Sequence, residues 1–327
     1  YDRETYRHFK RFLSKNLFKE RDPKDKITSE HIDLAAALQH KTNTIMLELV
    51  DYWRKQTGAK QLCISGGVAL NCVTNAFIAS KNIFDKIYIP PASADDGTSL
   101  GACMNILIKN GKSLSSKFCP GMPFYGPEIK YSGKSVDGVN ITKMTDKELI
   151  HRVGTDLINK KIVAWARGKM EFGPRALGHR SIFADPRDIK TKERLNKITK
   201  EREMFRPFAP MVKSEFVDKF FITTKSCNYK HMLINATVRD RYRDKLQAVI
   251  HIDGTSRIQT VSRDDLPDIW SLLDFMEKNT GIPVILNTSF NLKSEPIVCY
   301  EDDAIRSFIK SDIDCMVIND YYFEKIR

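Results

Sequence analysis

The chain has 327 residues, 42% of them hydrophobic and 29% charged, and its 53 Lys and Arg against 41 Asp and Glu give a formal net charge of +12. That length suits two domains of ordinary size, and that composition suits a globular protein with real cores rather than a disordered one. No apolar run approaches the roughly 20 residues of a membrane span, and no signal peptide is recognisable. The 7 scattered cysteines, with no C-x-x-C pair, argue against a disulfide framework or a zinc knuckle and for a reducing cytoplasm.

In chain order, Thr28 or Ser29 is an N-cap for a long amphipathic helix that ends near Gly58. A short buried strand at 62–65 closes on Gly66-Gly67; a helix over 70–80, a strand over 86–90 and a helix over 97–109 follow. That alternation predicts an α/β fold with a mostly parallel sheet. Residues 112–143 lose the pattern and collect Ser, Gly and Pro, which places a domain boundary there. The sequence thus divides into a first domain over 1–115, a linker over 116–143 and a second α/β domain over 144–327. In the second, strands are expected at 161–165, 181–184, 232–236, 248–252, 283–287 and 315–319, with helices at 146–159, 266–279 and 302–309.

The positive charge is concentrated: residues 167–213 hold 13 Lys and Arg against 6 Asp and Glu. These bases alternate with Gly-Pro, Arg-Pro and His instead of forming a polybasic run, which favours a shaped anion pocket over a nucleic-acid surface. MEFGPRALGHRS (170–181) is the densest segment. With Gly168 before them, Gly173 and Gly178 keep a close-fitting loop from which Arg175, His179 and Arg180 project, and the arginine fork matches phosphate or carboxylate. A solvated basic loop would not need three glycines and a proline between its charges. In KEREMFRPFAP (200–210) the Arg206-Pro207 step holds the backbone extended, which suits an aimed side chain; Glu201 and Glu203 there pair with neighbouring bases or face solvent. HIDGTSRIQ (251–259) is a strand broken at Asp-Gly, for which a hairpin turn is the plain explanation. NTSFN (287–291) follows an apolar strand and offers four hydrogen-bonding side chains where α/β sheets place ligands.

In the first domain, GGVALN (66–71) sets two glycines between a strand and a helix, where a nucleotide can approach the backbone. A tight turn explains the glycines too, and capping explains Asn71. DDGTSLGA (95–102) puts Asp95 and Asp96 at a strand-to-helix junction suited to a cation, although an N-cap accounts for one of them and a single carboxylate makes no metal site.

Taken in order, GGVALN, DDGTSLGA, MEFGPRALGHRS, REMFRPFAP, HIDGTSRIQTV and NTSFN resemble the O-carbamoyltransferases of nodulation factors, cephamycins and aminoglycosides, from about residue 32 to the end of the chain. The resemblance implies the second half of an actin-like domain, related to the threonylcarbamoyl transferases of tRNA modification, followed by a YrdC-like twisted α/β domain that forms adenylates. It implies that carbamoyl phosphate yields carbamate, that carbamate attacks the α-phosphorus of ATP, and that carbamoyl-adenylate then carbamoylates a hydroxyl of a sugar or natural-product acceptor. Carried over by motif, Arg175 and Arg206 match positions that hold carbamoyl phosphate and the ATP phosphates, and Arg257 and Asn287 match further anion contacts. Lys200, Ser289 and Asn291 match the catalytic signature of the adenylate-forming fold, with Arg206 beside them. Gly66, Gly67 and Asn71 match nucleotide contacts, and Asp95 matches a metal-ligating carboxylate.

ATP with Mg²⁺ is the implied cosubstrate, and iron or zinc the implied metal of a full-length actin-like domain. The family's H-x-x-x-H metal pair has no counterpart, since His31 and His40 are wrongly spaced. With Tyr1 in place of Met, this leads to the expectation that an N-terminal segment and the acceptor site lie outside the sequence, and that the chain activates carbamate without transferring it. Membrane and nucleic acid are not expected as partners, and homodimerisation is left open. The nearest alternative is a tRNA threonylcarbamoylation enzyme, which shares both folds. A basic RNA-binding module is the alternative from another class, and the single aromatic residues among the motifs form no stacking platform for it.

Overall fold

A computed structural model describes residues 3–17, 19–22, 24–113, 121–197 and 206–326. Lys200, Glu201 and Glu203 therefore lie outside the described residues. The chain forms two compact units, Tyr1–Met46 and Leu47–Arg327. The first holds α1 (Arg3–Asn16) and the opening turns of α2 (Ser29–Thr57). α2 stops at Gly58, whose φ of +69° is left-handed backbone that glycine adopts without penalty and whose N–H returns to the Arg54 carbonyl.

The second unit begins with β1 (Gln61–Cys63), α3 (Cys72–Ser80), β2 (Lys86–Tyr88) and α4 (Thr98–Lys109). β1 and β2 pair in parallel, as the alternation predicts. The helix expected from residue 70 starts later. Gly67–Leu70 is a 3-10 turn, and Asn71 caps α3 by accepting from the Thr74 N–H at 3.1 Å.

Then come β3 (Val139–Lys143), α5 (Asp146–Ile158), β4 (Val163–Ala166), β5 (Arg180–Ala184), α6 (Ile189–Leu195), β6 (Ala209–Lys213), α7 (Val217–Phe220) and β7 (Phe221–Ile222). β8 (Ala236–Val238), β9 (Thr255–Ser256), β10 (Gln259–Val261), α8 (Pro267–Thr280), β11 (Val284–Ser289), α9 (Glu301–Ile309), β12 (Cys315–Ile318) and β13 (Tyr321–Lys325) complete it. Eight strands form one sheet in the order β10-β6-β11-β5-β4-β12-β13-β3. Only β10–β6 and β12–β4 are parallel pairs in it, so this sheet is mixed.

α5 opens on a capping box of Thr145 and Glu148, and α8 opens on Pro267 and stops at the left-handed Gly281. Their apolar faces close over the sheet, with Leu149 and Val153 of α5 and Leu272 and Met276 of α8 in one core with Trp165 and Ile285. Gly154 permits the approach of the two helices, because a Cβ there would come within 2.2 Å of the Phe275 ring.

Two expected strands are absent. At 232–236 Met232 takes φ +57°, which a strand does not accommodate, and β8 starts only at Ala236. In the expected strand 248–252, Gln247–Val249 is a 3-10 turn. Residues 121–131 run along the β4–β5 connection, where Gly126 N donates to Met170 O, Met170 N to Pro127 O and Ile129 N to Gly168 O.

Candidate anion-binding site

β4 and β5 are neighbours in the sheet, and the glycine-rich segment is the connection between them. Buried side chains lock its second half. Glu171, 6% exposed, turns Oε1 onto the backbone N–H groups of Leu177 (2.7 Å), His179 (2.8 Å) and Arg180 (3.2 Å). Gln259 Nε2 donates to Leu177 O at 2.8 Å and Asn287 Nδ2 to Ala176 O at 3.0 Å.

Arg180, expected to project, is instead fully buried, and its guanidinium donates to the carbonyls of Pro127, Arg167, Gly168, His179 and Cys299. Its charge is spent on the fold. His179 stacks on Phe124 with ring centroids 3.6 Å apart and gives Nδ1–H to Lys169 O at 2.6 Å; burial holds its pKa down. Arg175 is the charge that the second half of the loop presents.

Arg175 lines a cavity of about 380 Å³ together with Arg206, Arg257, His251, Asn235 and Cys72. Three separate segments thus bring one arginine each: the β4–β5 connection, the stretch before β6 and the turn before β10. Nε of Arg175 and Nε of Arg257 are buried without a hydrogen-bond partner. Burial first, and then the nearby Arg257 charge, push Arg175 down to about 10, which leaves it cationic at neutral pH. Guanidinium groups held together with buried, unpaired N–H groups make an anion site. Cys72 and Val73, the first residues of α3, close another wall.

The other expected residues are placed as follows. Asn287 is 1% exposed and holds the loop through its amide; its Oδ1 is buried without a partner, and it does not line the cavity. Ser289 ends β11, opposite Ser181 of β5, and its Oγ donates to Asn291 Oδ1 at 2.6 Å. Ser289 thus stands at the end of β11 beside the start of β5, where the loop joins the sheet, but neither Ser289 nor Asn291 is in the cavity wall.

Gly66 and Asp95 line a second, more apolar cavity of about 530 Å³ with Tyr88, Pro91 and Phe172. The β4–β5 connection therefore walls both cavities, through Phe172 and through Arg175. Gly67 and Asn71 are not in that wall, and the Asn71 side chain is committed to capping.

Asp95 is exposed, whereas both carboxylate oxygens of Asp96 are buried without a partner. Neither residue caps a helix, since Ala94 and Gly97 occupy those positions. Among the described residues no three His, Cys, Asp or Glu side chains gather as metal ligands, so they do not fit an iron or zinc centre.

Three residues that bring polar atoms to the cavity were not singled out from sequence: His251, Asn235 and Cys72. His251 stands six residues before Arg257 in the same motif, and Asn235 interrupts an apolar stretch; both were signals that a polar contact was needed.

Residues 154–325 match the family described as Carbamoyltransferase C-terminus, and residues 4–104 match Carbamoyltransferase N-terminus. The nodulation protein NolO of Bradyrhizobium diazoefficiens is 34% identical over 306 residues, 91% of this chain and 55% of that protein. The nodulation protein NolNO of Sinorhizobium fredii is 36% identical over 305 residues, 91% of this chain and 45% of that protein. This chain thus spans about half the length of these relatives. Full-length HypF, solved in a phosphate- and nucleotide-bound form, superposes with a TM-score of 0.37 at 17% identity over 57% of this chain and 22% of that one, too loose a likeness to bear on the fold. On its sequence matches, the chain belongs to the carbamoyltransferase family.

Proposed function

We propose that residues 144–327 are a YrdC-like domain that forms carbamoyl-adenylate from carbamoyl phosphate and ATP·Mg²⁺. The whole protein then transfers the carbamoyl group to a hydroxyl of a sugar or natural product in the cytoplasm. The observation that carries this is the convergence of Arg175, Arg206 and Arg257 on one cavity. The reaction presses two polyanions together, and unit charges 4 Å apart repel by ~4 kcal/mol at an effective dielectric near 20. Fixed guanidinium groups offset that repulsion.

Water first displaces phosphate from the carbamoyl carbon. The resulting carbamate oxygen then attacks the α-phosphorus, the bond from that phosphorus to the bridging oxygen breaks, and pyrophosphate leaves against the same cations. Positioning and charge are most of this chemistry, so the protein need not supply a nucleophile. Lys200, Ser289 and Asn291 are assigned to the ATP side. The β1-α3-β2-α4 segment, with Gly66, Gly67 and Asn71, is assigned to the actin-like, acceptor-side half, and the 530 Å³ cavity to that half's ligand.

The test is pyrophosphate release from ATP, with and without carbamoyl phosphate. Release should require carbamoyl phosphate and should vanish in Arg175→Ala. Release supported by L-threonine and bicarbonate in place of carbamoyl phosphate would instead assign the chain to threonylcarbamoyl chemistry.

A further inference from the structure

Arginine supplies only donors, yet the arginine-lined cavity also holds acceptors with nothing to accept. Asn235 is 6% exposed, and its Oδ1 is buried with no hydrogen-bond partner. Its amide is oriented, because Nδ2 donates to Thr255 Oγ1 at 3.4 Å. The same hydroxyl settles the tautomer of His251. Thr255 gives its own hydrogen to Asp253 Oδ1 at 2.7 Å, so in its 3.0 Å contact with His251 Nδ1 it accepts, and Nδ1 carries the proton. Nε2 is then the acceptor of a neutral ring. Burial first, with Arg257 and Lys192 adding and Asp253 opposing, holds that ring down to about 4. One threonine hydroxyl thus leaves Asn235 Oδ1 and His251 Nε2 for the cavity that both residues line.

We propose that Asn235 and His251 read the amine of carbamoyl phosphate while Arg175, Arg206 and Arg257 hold its phosphoryl group, and so select a carbamoyl phosphate over an acyl phosphate. This selection rests on the proposed function. The planar carbamoyl amine has two N–H groups for the two acceptors. Acetyl phosphate would turn a methyl group to them and leave the buried Asn235 Oδ1 unpaired, and a site that pairs a buried polar group with its substrate rejects such an analogue. The acceptors share one cavity with the arginines, which calls for a molecule whose amine lies close to its phosphoryl group. Carbamoyl phosphate meets that condition; ATP, with its amine on adenine, does not.

Calorimetry on the intact chain, with inorganic phosphate, carbamoyl phosphate, acetyl phosphate and ATP as probes, tests the assignment. The unmodified protein should bind carbamoyl phosphate at least about tenfold more tightly than acetyl phosphate, the scale of one or two buried hydrogen bonds. Asn235→Leu, His251→Phe and Thr255→Val should each erase most of that preference and leave affinity for inorganic phosphate within about twofold. Thr255→Val removes a hydroxyl and keeps the shape, so it remains readable if Asn235→Leu fails to fold. Absence of phosphate binding, or indifference of that binding to Arg175→Ala, would sink the anion-site reading itself. With phosphate binding intact, equal affinity for carbamoyl and acetyl phosphate would overturn the selection alone. A preference that survives all three substitutions would do the same, as would a loss of ATP affinity with the preference unchanged, which would make the acceptors readers of adenine.

Discussion

Asn287 and Ala176 are 111 residues apart in sequence and joined in space, Asn287 Nδ2 donating to the Ala176 carbonyl at 3.0 Å. The same Nδ2 lies 3.3 Å from Gln259 Oε1, and Gln259 in turn holds the Leu177 carbonyl. The backbone next to Arg175 is therefore tied to β10 and β11. Asn287→Ala should weaken inorganic phosphate binding about tenfold by loosening Arg175, a loss of one buried hydrogen-bond set. In the Arg175→Ala background, Asn287→Ala should then cost little more, because both changes act through one contact. Fully additive losses in the double variant would contradict this coupling.

Glu171 places a buried carboxylate under three backbone N–H groups, one of them that of Arg180. Removing it leaves those donors and the buried Arg180 charge uncompensated. Glu171→Ala should lower unfolding stability in urea by ~3–5 kcal/mol, the usual scale for breaking a buried charged network. A loss below about 1 kcal/mol would mean that water replaces the carboxylate at little cost.

His231 is 3% exposed, and burial together with Lys230 holds its pKa down to about 4. Between about 6.5, the ordinary histidine value, and about 4 the unfolded chain binds a proton that the folded chain refuses. Stability therefore rises with pH through that window and falls on acidification. Urea unfolding at pH 7 and pH 5 should show a loss on the order of 1–2 kcal/mol at the lower pH, from a shift worth 1.36 kcal/mol per unit. His231→Leu should remove its share of that dependence and leave the share of His251 and His179, which burial also holds down. An unchanged slope in the variant would show that other groups cause it.

Much of the second unit was legible because its elements are buried and end on strong signals. The helices expected at 146–159, 266–279 and 302–309 are α5, α8 and α9, set by a capping box, a Pro at the start and an acidic first turn. β4, β5, β11 and β12 read as apolar runs because they lie inside the sheet. β6 was missed because Pro210 interrupts it; the structure tolerates that proline one residue before pairing with β10 begins. The site was legible in part. Arg175 and Arg180 have the same residue type in the same glycine-rich loop, and only the three-dimensional cage of carbonyls tells that one faces a cavity and the other holds the fold. Asn287 looked like a ligand contact from its motif, but its register opposite Phe183 of β5 turns its amide into the loop.

Arg206 is exposed at the cavity rim, whereas Arg180 is buried. Arg206→Ala should therefore lower carbamoyl phosphate-dependent pyrophosphate release at least about 100-fold, as loss of one fixed transition-state donor does. Its melting temperature should stay within a degree or two of the unmodified protein, as for an exposed surface substitution. A large drop in melting temperature with normal turnover would make Arg206 a structural residue.

The most direct measurement is to trap the activated carbamoyl group. Hydroxylamine attacks an acyl-adenylate at its carbonyl carbon and expels AMP, so with carbamoyl phosphate, ATP and Mg²⁺ the chain should yield N-hydroxyurea and AMP in equal amounts. Both products should depend on carbamoyl phosphate and disappear in Arg175→Ala, whose side chain lines the arginine cavity. ADP and phosphate as the nucleotide products, or AMP formed at the same rate without carbamoyl phosphate, would contradict carbamoyl-adenylate formation by this chain.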